Sequence, residues 1–351
     1  MKKLLAIAVA AALVAPAAAM AETTLYGKLH ASYGEVKDNT GNKKRTGVES
    51  HASRIGIKGS HALNNGLEAT YGLEYGINLD GDNGASTYGD SVDSLGDTSN
   101  DNGFTSRNQF VGLKGGFGEV RVGKHDTPAK LATAGQDVFA DTYADMGNII
   151  NVDSHRVNNA VAYINKVGPV GFAVAHSSGP LGGDNSPNAE TAMVNYGNGP
   201  WYAGLGYTRV KNAGLNANDV VVVAPSPTNF NAAKHINLGL GWKAEAGHQV
   251  NLIAEQTKPT DGSAGKIDAY LVNGVAKFGN VGLKGQYGES KNKNFGGTAD
   301  GKEKLASIGL DYSLGKKTSV YLLHSQDKNP TRQTTTSNKV KATAVGLVTE
   351  F

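Results

Sequence analysis

Short runs of alternating apolar and polar residues recur along this chain and constrain its fold more than any other feature. In residues 67–79, Leu73, Tyr75 and Ile77 share one face while Thr70 and Glu74 share the other. Successive side chains of a β-strand point to opposite faces, so this period predicts strands that are apolar on one side and polar on the other. Comparable faces recur to the end of the chain, where Val345, Leu347 and Phe351 share one side. The sequence therefore predicts an all-β fold.

The connections between these runs alternate in length. Seven are short and turn-like, near residues 63–66, 115–118, 167–170, 197–200, 245–248, 278–281 and 314–317. Eight are longer and polar, near residues 37–53, 80–106, 125–157, 178–190, 211–234, 258–268, 290–304 and 327–339. Fifteen connections imply sixteen strands, with both termini on the short-turn side.

An even strand number with short turns at one rim and long loops at the other predicts a 16-stranded antiparallel transmembrane β-barrel. The turns would be periplasmic and the loops extracellular. Sixteen strands also leave an aqueous lumen. The alternative is a soluble β-sandwich or β-solenoid, but neither would keep long and short connections in strict alternation.

The N-terminus predicts export. Lys2 and Lys3 precede a short apolar run, and the A-x-A pattern at residues 19–21 is typical of a signal-peptide cleavage site. We expect residues 1–21 to be removed between Ala21 and Glu22, leaving a single barrel domain over residues 22–351.

Composition narrows the function further. The formal net charge of +3 falls to +1 without Lys2 and Lys3, which argues against a nucleic-acid partner. The chain has no cysteine, so an exported fold cannot depend on disulfides, and a closed zinc site is not expected. No cofactor and no metal are predicted.

The alternation stops over residues 123–150, within the third long connection. Pro128 ends a strand, and residues 128–134 could form a short helical turn. An irregular insert of this length in a regular architecture is usually functional. We therefore expect this loop, about residues 125–157, to fold into the lumen and to set the size and charge of a pore.

Several segments together carry a family likeness. They are Thr24-Leu25-Tyr26-Gly27, Ser53-Arg54-Ile55-Gly56, the stretch from Phe110 to Val120, residues 122–128, and the terminal Phe351. With these segments the chain resembles the general trimeric porins of Gram-negative bacteria, especially the β-proteobacterial and neisserial type.

The resemblance implies a passive outer-membrane channel for ions and small hydrophilic solutes, and no enzyme. It implies a homotrimer embedded in outer-membrane lipid and lipopolysaccharide, with loop 3 as the constriction. It also implies that Phe351 is recognised by the outer-membrane assembly machinery, and it favours a weak preference for anions.

The candidate constriction combines loop acids with wall bases. Asp137, Asp141 and Asp145 recur every fourth residue, although only some would reach the lumen from an irregular loop. Strand parity directs three basic residues inward, and a fourth follows the loop: Lys28, Arg54, Arg121 and Arg156. Opposed rings of acids and bases would create a transverse field that favours polar solutes and biases ions.

Two alternatives remain at this point. A solute-specific channel would need an aromatic track along the lumen, but most aromatic residues fall on the lipid-facing parity. An outer-membrane hydrolase would need a Ser–His pair. The pairs His176/Ser177 and His324/Ser325 are sequence neighbours, so on a strand they point to opposite faces.

Overall fold

The computed structural model describes residues 23–39, 43–80, 104–154, 156–178, 188–211, 220–221, 233–260, 262–295, 300–328 and 339–351. The first nine strands are β1 (Thr24–Asp38), β2 (Lys43–Ser50), β3 (Arg54–Ala62), β4 (Glu68–Ile77), β5 (Phe104–Gly115), β6 (Gly118–Asp126), β7 (Arg156–Val167), β8 (Val170–Ser177) and β9 (Asn188–Asn198). The other nine are β10 (Trp201–Lys211), β11 (Val220–Val221), β12 (Ala233–Lys243), β13 (Gln249–Pro259), β14 (Lys266–Phe278), β15 (Val281–Lys293), β16 (Gly301–Ser313), β17 (Thr318–Lys328) and β18 (Lys339–Glu350). The predicted cleavage residues Ala21 and Glu22 lie outside the described residues.

These strands form one closed antiparallel barrel. Except at the short β11 and between β2 and β3, which both pair with β1, consecutive strands along the chain pair with each other; β10 pairs with β12, and β18 pairs with β1 to close the sheet. β2 and β3 are two halves of one barrel strand, interrupted at residues 51–53, and β11 is a two-residue segment within a long connection. Sixteen barrel strands remain, which confirms the predicted architecture.

The observed connections correct two predicted loop boundaries. Residues 43–50 are not part of a long loop, because β2 pairs with β1 from Lys43 to Ser50. The connection predicted near residues 290–304 is also shorter, since β15 extends to Lys293 and β16 begins at Gly301. These strand ends extend beyond the apolar band and are polar, so their composition predicts a loop. Backbone hydrogen bonds to the neighbouring strands nevertheless extend the β-structure through them.

The barrel is apolar outside and polar inside. On β1, Tyr33 is 62% exposed whereas the neighbouring Ser32 is 3% exposed. On β4, Leu73 is exposed and Glu74 is buried. Trp201 and Trp242 are register partners on the outer face. This inverted distribution, with the predicted faces, is the one expected of strands whose outer side contacts lipid.

The C-terminal residue completes the barrel seam. The backbone N–H of Phe351 donates to the carbonyl of Gly27 (3.1 Å), and Gly27 donates back to Phe351 (3.3 Å). A Cβ on Gly27 would lie 2.2 Å from the Phe351 ring, so only glycine leaves room for it. No helix among the described residues is long and apolar enough to cross a membrane.

Candidate pore constriction

The long connection between β6 and β7, called loop 3 here, folds against the inner wall of the barrel. It starts with a single-turn helix, α1 (Pro128–Leu131), followed by 3-10 turns at Ala134–Gln136, Met146–Asn148 and Asn151–Ser154. Thr127 caps α1 by accepting a hydrogen bond from the Lys130 N–H (3.1 Å), and Pro128 occupies the first turn, where its missing N–H costs nothing. The predicted short helical turn and inward fold are therefore present.

Wall side chains hold the first half of loop 3. The Tyr202 hydroxyl donates to the carbonyl of Ala132 (2.9 Å), and the Asn237 amide donates to the carbonyl of Ala129 (2.9 Å). Gly204 faces the same segment, and a Cβ there would lie 2.2 Å from the Ala132 oxygen. The loop backbone thus approaches the wall where β10 has no side chain.

Apolar contacts and one buried carboxylate hold the second half. Met146, Ile149 and Ile150 are fully buried against Ile253, Leu271 and Leu305 of the wall. The Glu255 carboxylate accepts from the N–H groups of Asn151 (3.1 Å) and Val152 (2.8 Å) and from the Asn151 side chain (3.0 Å). Buried backbone donors need partners, so Glu255 fixes the loop where it returns to the wall.

The three loop acids have different surroundings. Asp137 accepts from the N–H groups of Phe139 (2.7 Å) and Met146 (2.9 Å). Asp145 accepts from the N–H groups of Asp141 (2.7 Å) and Gly147 (2.7 Å). Asp137 and Asp145 thus bind the loop's own backbone. Their place in the constriction stays a prediction, and these hydrogen bonds give both a part in shaping the loop.

Asp141 instead points at the wall. Its Oδ2 lies 2.6 Å from the Lys28 ammonium and 3.4 Å from the Arg54 guanidinium, and its side chain is 25% exposed. Lys28 on β1 and Arg54 on β3 are register partners, so two neighbouring strands present both cations at the same height. The Asp141 backbone has φ 57°, a left-handed conformation that Asp and Asn tolerate better than most residues.

The charges around Asp141 keep it ionised. Burial alone would raise the pKa of its carboxyl, but the positive charges of Lys28 and Arg54 outweigh burial and hold that pKa well below its usual value. Arg107 contributes in the same direction. Tyr143, two residues further along the loop, donates from its hydroxyl to Glu49 (2.7 Å), and burial with this hydrogen bond raises its pKa.

Arg121 and Arg156 lie apart from Asp141. Arg121 binds Glu119 through its Nε (2.7 Å) and Nη2 (2.9 Å) and stacks over the Phe110 ring. Arg156 is 5% exposed and binds Asp126 (3.0 Å) where loop 3 leaves and rejoins the wall. The structure therefore brings Lys28 and Arg54 to the loop acid and places Arg121 and Arg156 elsewhere. A role for these two in the constriction stays a prediction.

Two further charged residues were not predicted as part of the site. Arg107 donates from Nε to Glu74 (2.8 Å) inside the barrel. Its orientation could not be read from parity, because the β4–β5 register shifts between Leu73 and Tyr75. Lys284 on β15 pairs with Asp311 and lies 5.7 Å from the centroid of the Phe139 ring of loop 3. Its alternating strand carried the signal that could have identified it.

Comparison with known proteins gives consistent matches. A family model described as Gram-negative porin matches residues 6–332. The chain is 28% identical over 345 residues to outer membrane porin protein 32 of Delftia acidovorans, covering 91% of this chain and 87% of that protein. It is 34% identical over 158 residues to major outer membrane protein P.IB of Neisseria gonorrhoeae, and this match covers 43% of this chain and 39% of the neisserial protein.

Solved structures show the same fold. An anion-selective porin from Comamonas acidovorans superposes with a TM-score of 0.73 at 22% identity, covering 95% of this chain and all of that one. OmpF of Salmonella typhi, solved in complex with daunomycin, superposes with a TM-score of 0.67 at 18% identity, covering 94% and 98%.

Proposed function

This chain belongs to the Gram-negative porin family, and we propose that it forms a passive, water-filled diffusion channel for ions and small hydrophilic solutes. The family and the lipid-facing barrel place it in the outer membrane. Solutes would cross down their own gradients, with no energy input and no covalent step. The match to the neisserial protein spans about two fifths of that protein's length. The solutes that this chain would carry and the partners that it would bind are therefore part of the proposal.

In this proposal, loop 3 filters solutes by size because it is fixed inside the lumen. Wall amides, an apolar cluster and the Glu255 carboxylate secure it at successive points, so the opening keeps a defined width. A loop held this way differs from a mobile lid, and we expect a steady open channel.

The observation that carries the proposal is the ion pair on the inner wall, in which the Asp141 carboxylate of loop 3 contacts Lys28 (2.6 Å) and Arg54 (3.4 Å). Fixed opposite charges create a local transverse field, which orients dipolar solutes and disfavours apolar ones. The two cations face one carboxylate, which supports a weak preference for anions. The anion-selective porin of the same fold is consistent with that sign.

The assembled state is also part of the proposal. We expect a homotrimer in outer-membrane lipid and lipopolysaccharide, since porins of this family are generally trimeric. We further expect cleavage after Ala21 and recognition of Phe351 by the assembly machinery. N-terminal sequencing of the mature protein and cross-linking in native membranes test these points.

Conductance and reversal potential in a planar bilayer test the channel. Purified protein should give large, ohmic conductance steps, often in groups of three, with a reversal potential of anionic sign in a salt gradient. Lys28→Gln and Arg54→Gln should each shift that potential toward cations. Lys302→Gln, the same charge change on the outer face, should leave it unchanged.

Other outcomes would support the alternatives. Stepwise block by micromolar sugar would indicate a solute-specific channel. Release of fatty acid from phospholipid without any conductance would indicate a hydrolase. In the structure Ser177 and Ser325 are buried on the inner face, while His176 and His324 lie on the outer face. Neither pair has the geometry for proton transfer.

A further inference from the structure

The barrel strand formed by β2 and β3 contains one extra residue. Ser50 pairs with Ala31 of β1, and Arg54 pairs with Lys28, so the step along β2–β3 is one residue longer than the opposite step along β1. Within this bulge Ala52 has φ 46°, a left-handed conformation that residues with a Cβ seldom adopt. Bulges often re-aim a side chain, and strained backbone of this kind clusters at functional positions.

At the bulge the His51 side chain points inward, next to His30 of β1. Each histidine is 1% exposed, and the centroids of the two rings are 4.8 Å apart. The His51 N–H donates to the His30 carbonyl (2.8 Å), and the Ser53 hydroxyl donates to the same carbonyl (3.0 Å). Two adjacent imidazoles are thus buried on the inner wall, within three residues of Lys28 and Arg54.

The histidine pair connects the wall to the middle of loop 3, residues 139–145. The His30 Nε2 is hydrogen-bonded to the Tyr321 hydroxyl of β17 (2.8 Å), and the His51 Nε2 to the Ser32 hydroxyl of β1 (2.7 Å). Tyr143 of loop 3 packs edge-to-face on the His51 ring, with centroids 4.9 Å apart. Loop 3 therefore covers the pair, and it cannot leave the wall without exposing His51.

Neither ring has a counter-ion for a positive charge. Within the ranges that the structure describes, no carboxylate lies within ion-pair distance of His30 or His51, and the His30 Nδ1 has no hydrogen-bond partner. The neighbouring Lys28 and Arg54 disfavour a further cation. The site as folded accommodates two neutral imidazoles.

The carboxylates around the pair are already engaged. Asp141 is engaged by Lys28 and Arg54, Asp311 by Lys284, Asp80 by the Ser50 N–H (2.8 Å), and Glu49 by the Tyr143 hydroxyl (2.7 Å). Lys284 and Asp311 line the same pocket as His30 and Tyr321. A proton added to either ring would create a buried charge without a partner, which is costly unless water reaches it.

We propose that His30 and His51 form a proton-sensitive latch for loop 3. While both rings are neutral, they hold the middle of the loop against the wall, and protonation releases it. The latch rests on the proposed function only in that loop 3 borders the conducting path. It goes further by making the position of the loop depend on pH.

The direction and size of the effect follow from proton linkage. The held state keeps both rings neutral, whereas the released state exposes them to water, where histidine has an ordinary pKa of about 6.5. The held state is therefore fully favoured above that pH and weakens below it. The equilibrium constant for release should rise about tenfold per pH unit for each histidine that is protonated. Because Glu255 and the apolar cluster still hold the second half of the loop, we expect brief excursions from the main conductance level and not lasting closure.

Single-channel recording of the full-length protein tests the latch. The wild type is compared with the double variant His30→Gln/His51→Gln and with each single variant, from about pH 7.5 to about pH 4.5, which spans the histidine range. Glutamine can hydrogen-bond but cannot take up a proton in this range. His324→Gln is the matched control, because His324 is exposed on the outer face of β17 and bonds only Thr343.

We expect few excursions in the wild type at neutral pH. Their occupancy should rise between about tenfold and a hundredfold per pH unit below about pH 6.5, since one or two protons are taken up. Each single variant should rise at most about tenfold per unit, the double variant should not respond, and His324→Gln should match the wild type. NMR of isotope-labelled histidine in the wild type should show both rings taking up protons over the pH range in which excursions appear.

An unchanged pH response in the double variant, or a wild type that stays quiet down to about pH 4.5, would overturn the latch, because both rings should be protonated in the released state there. If the double variant does not fold, NMR decides. Excursions that develop while both rings remain neutral would refute the proposal. A wild type that conducts normally at neutral pH but shows no response to acid refutes the latch alone, whereas absence of conductance at every pH contradicts the channel function.

Discussion

Replacing Asp141 with asparagine removes one charge from the candidate constriction while keeping the shape of loop 3. Asn is nearly isosteric with Asp and tolerates the left-handed backbone at this position, where φ is 57°. Its amide can stay next to Lys28, so the Asp145 contact to the residue 141 N–H should persist. The change therefore tests charge and not folding.

The expected effect can be worked from Coulomb's law. A permeating ion about 6 Å from the carboxylate, in water-like surroundings, interacts with it by roughly 0.7 kcal/mol. Screening at about 0.1 M salt reduces this to roughly 0.4 kcal/mol. Losing the charge favours anions and disfavours cations by that amount each, so the anion-to-cation permeability ratio should rise about fourfold, since 1.4 kcal/mol corresponds to about tenfold.

Reversal potential in a tenfold salt gradient measures this ratio. Because 2.3 kcal/mol corresponds to about 100 mV, the shift is bounded near 35 mV and should be about 20 mV toward anion selectivity. Raising the salt to about 1 M should abolish most of it. A shift below about 5 mV at low salt, or one toward cations, would refute the placement of Asp141 beside the ion path, since roughly 20 mV is expected there.

Other contacts of the loop give further predictions. Glu255→Ala leaves the buried N–H donors of Asn151 and Val152 without their carboxylate acceptor, at a cost of about 1–3 kcal/mol. Open-channel current noise should therefore increase, and it should increase less in Glu255→Gln. A Glu255→Ala channel without extra noise would argue against Glu255 as an anchor of loop 3. Gly204→Ala places a Cβ against the Ala132 carbonyl, so it should shift loop 3 and change the single-channel conductance. Gly285→Ala is the control, because open space surrounds Gly285, and it should leave the conductance unchanged. Equal conductance in both variants would contradict the close contact between loop 3 and β10. Because Lys28 and Arg54 depress the pKa of Asp141, the stabilisation from its charge is present above the unfolded pKa and lost only as pH falls through the lower folded pKa. The difference in reversal potential between the wild type and Asp141→Asn should therefore stay constant from pH 7 to the ordinary aspartate value of 3.8, and a midpoint near that value would contradict the ion pair.

Periodicity predicts most of the barrel because the environment reverses across every strand. Tyr33 faces lipid and its neighbour Ser32 faces the interior, so alternation along the sequence predicts the strands without any knowledge of side-chain packing. The pattern fails where strands leave the membrane. Lys44 and Val48 of β2 lie on the same outer face, as the strand period requires, but the polar residues around them predict a loop.

The contacts of the candidate constriction are harder to predict from the sequence, because they join residues that are far apart along the chain. Parity correctly directs Lys28 and Arg54 inward, but only the path of loop 3 shows that Asp141 reaches them. The four-residue spacing of the acids cannot tell Asp141 from Asp145, whose carboxylate binds backbone N–H groups. A bulge hides Arg107, and the Asp126 partner of Arg156 lies thirty residues away in sequence.

The central claim, that loop 3 forms one side of the channel's narrowest point, can be tested by chemical modification. The chain has no cysteine, so Ala140→Cys creates a unique thiol on the exposed side of the loop next to Asp141. Tyr33→Cys on the lipid face is the control. During bilayer recording, a thiol reagent should lower the conductance of Ala140→Cys at once, with a positive reagent shifting the reversal potential toward anions and a negative one toward cations. Demonstrated labelling of the thiol introduced by Ala140→Cys with no change in conductance or reversal potential would contradict the account.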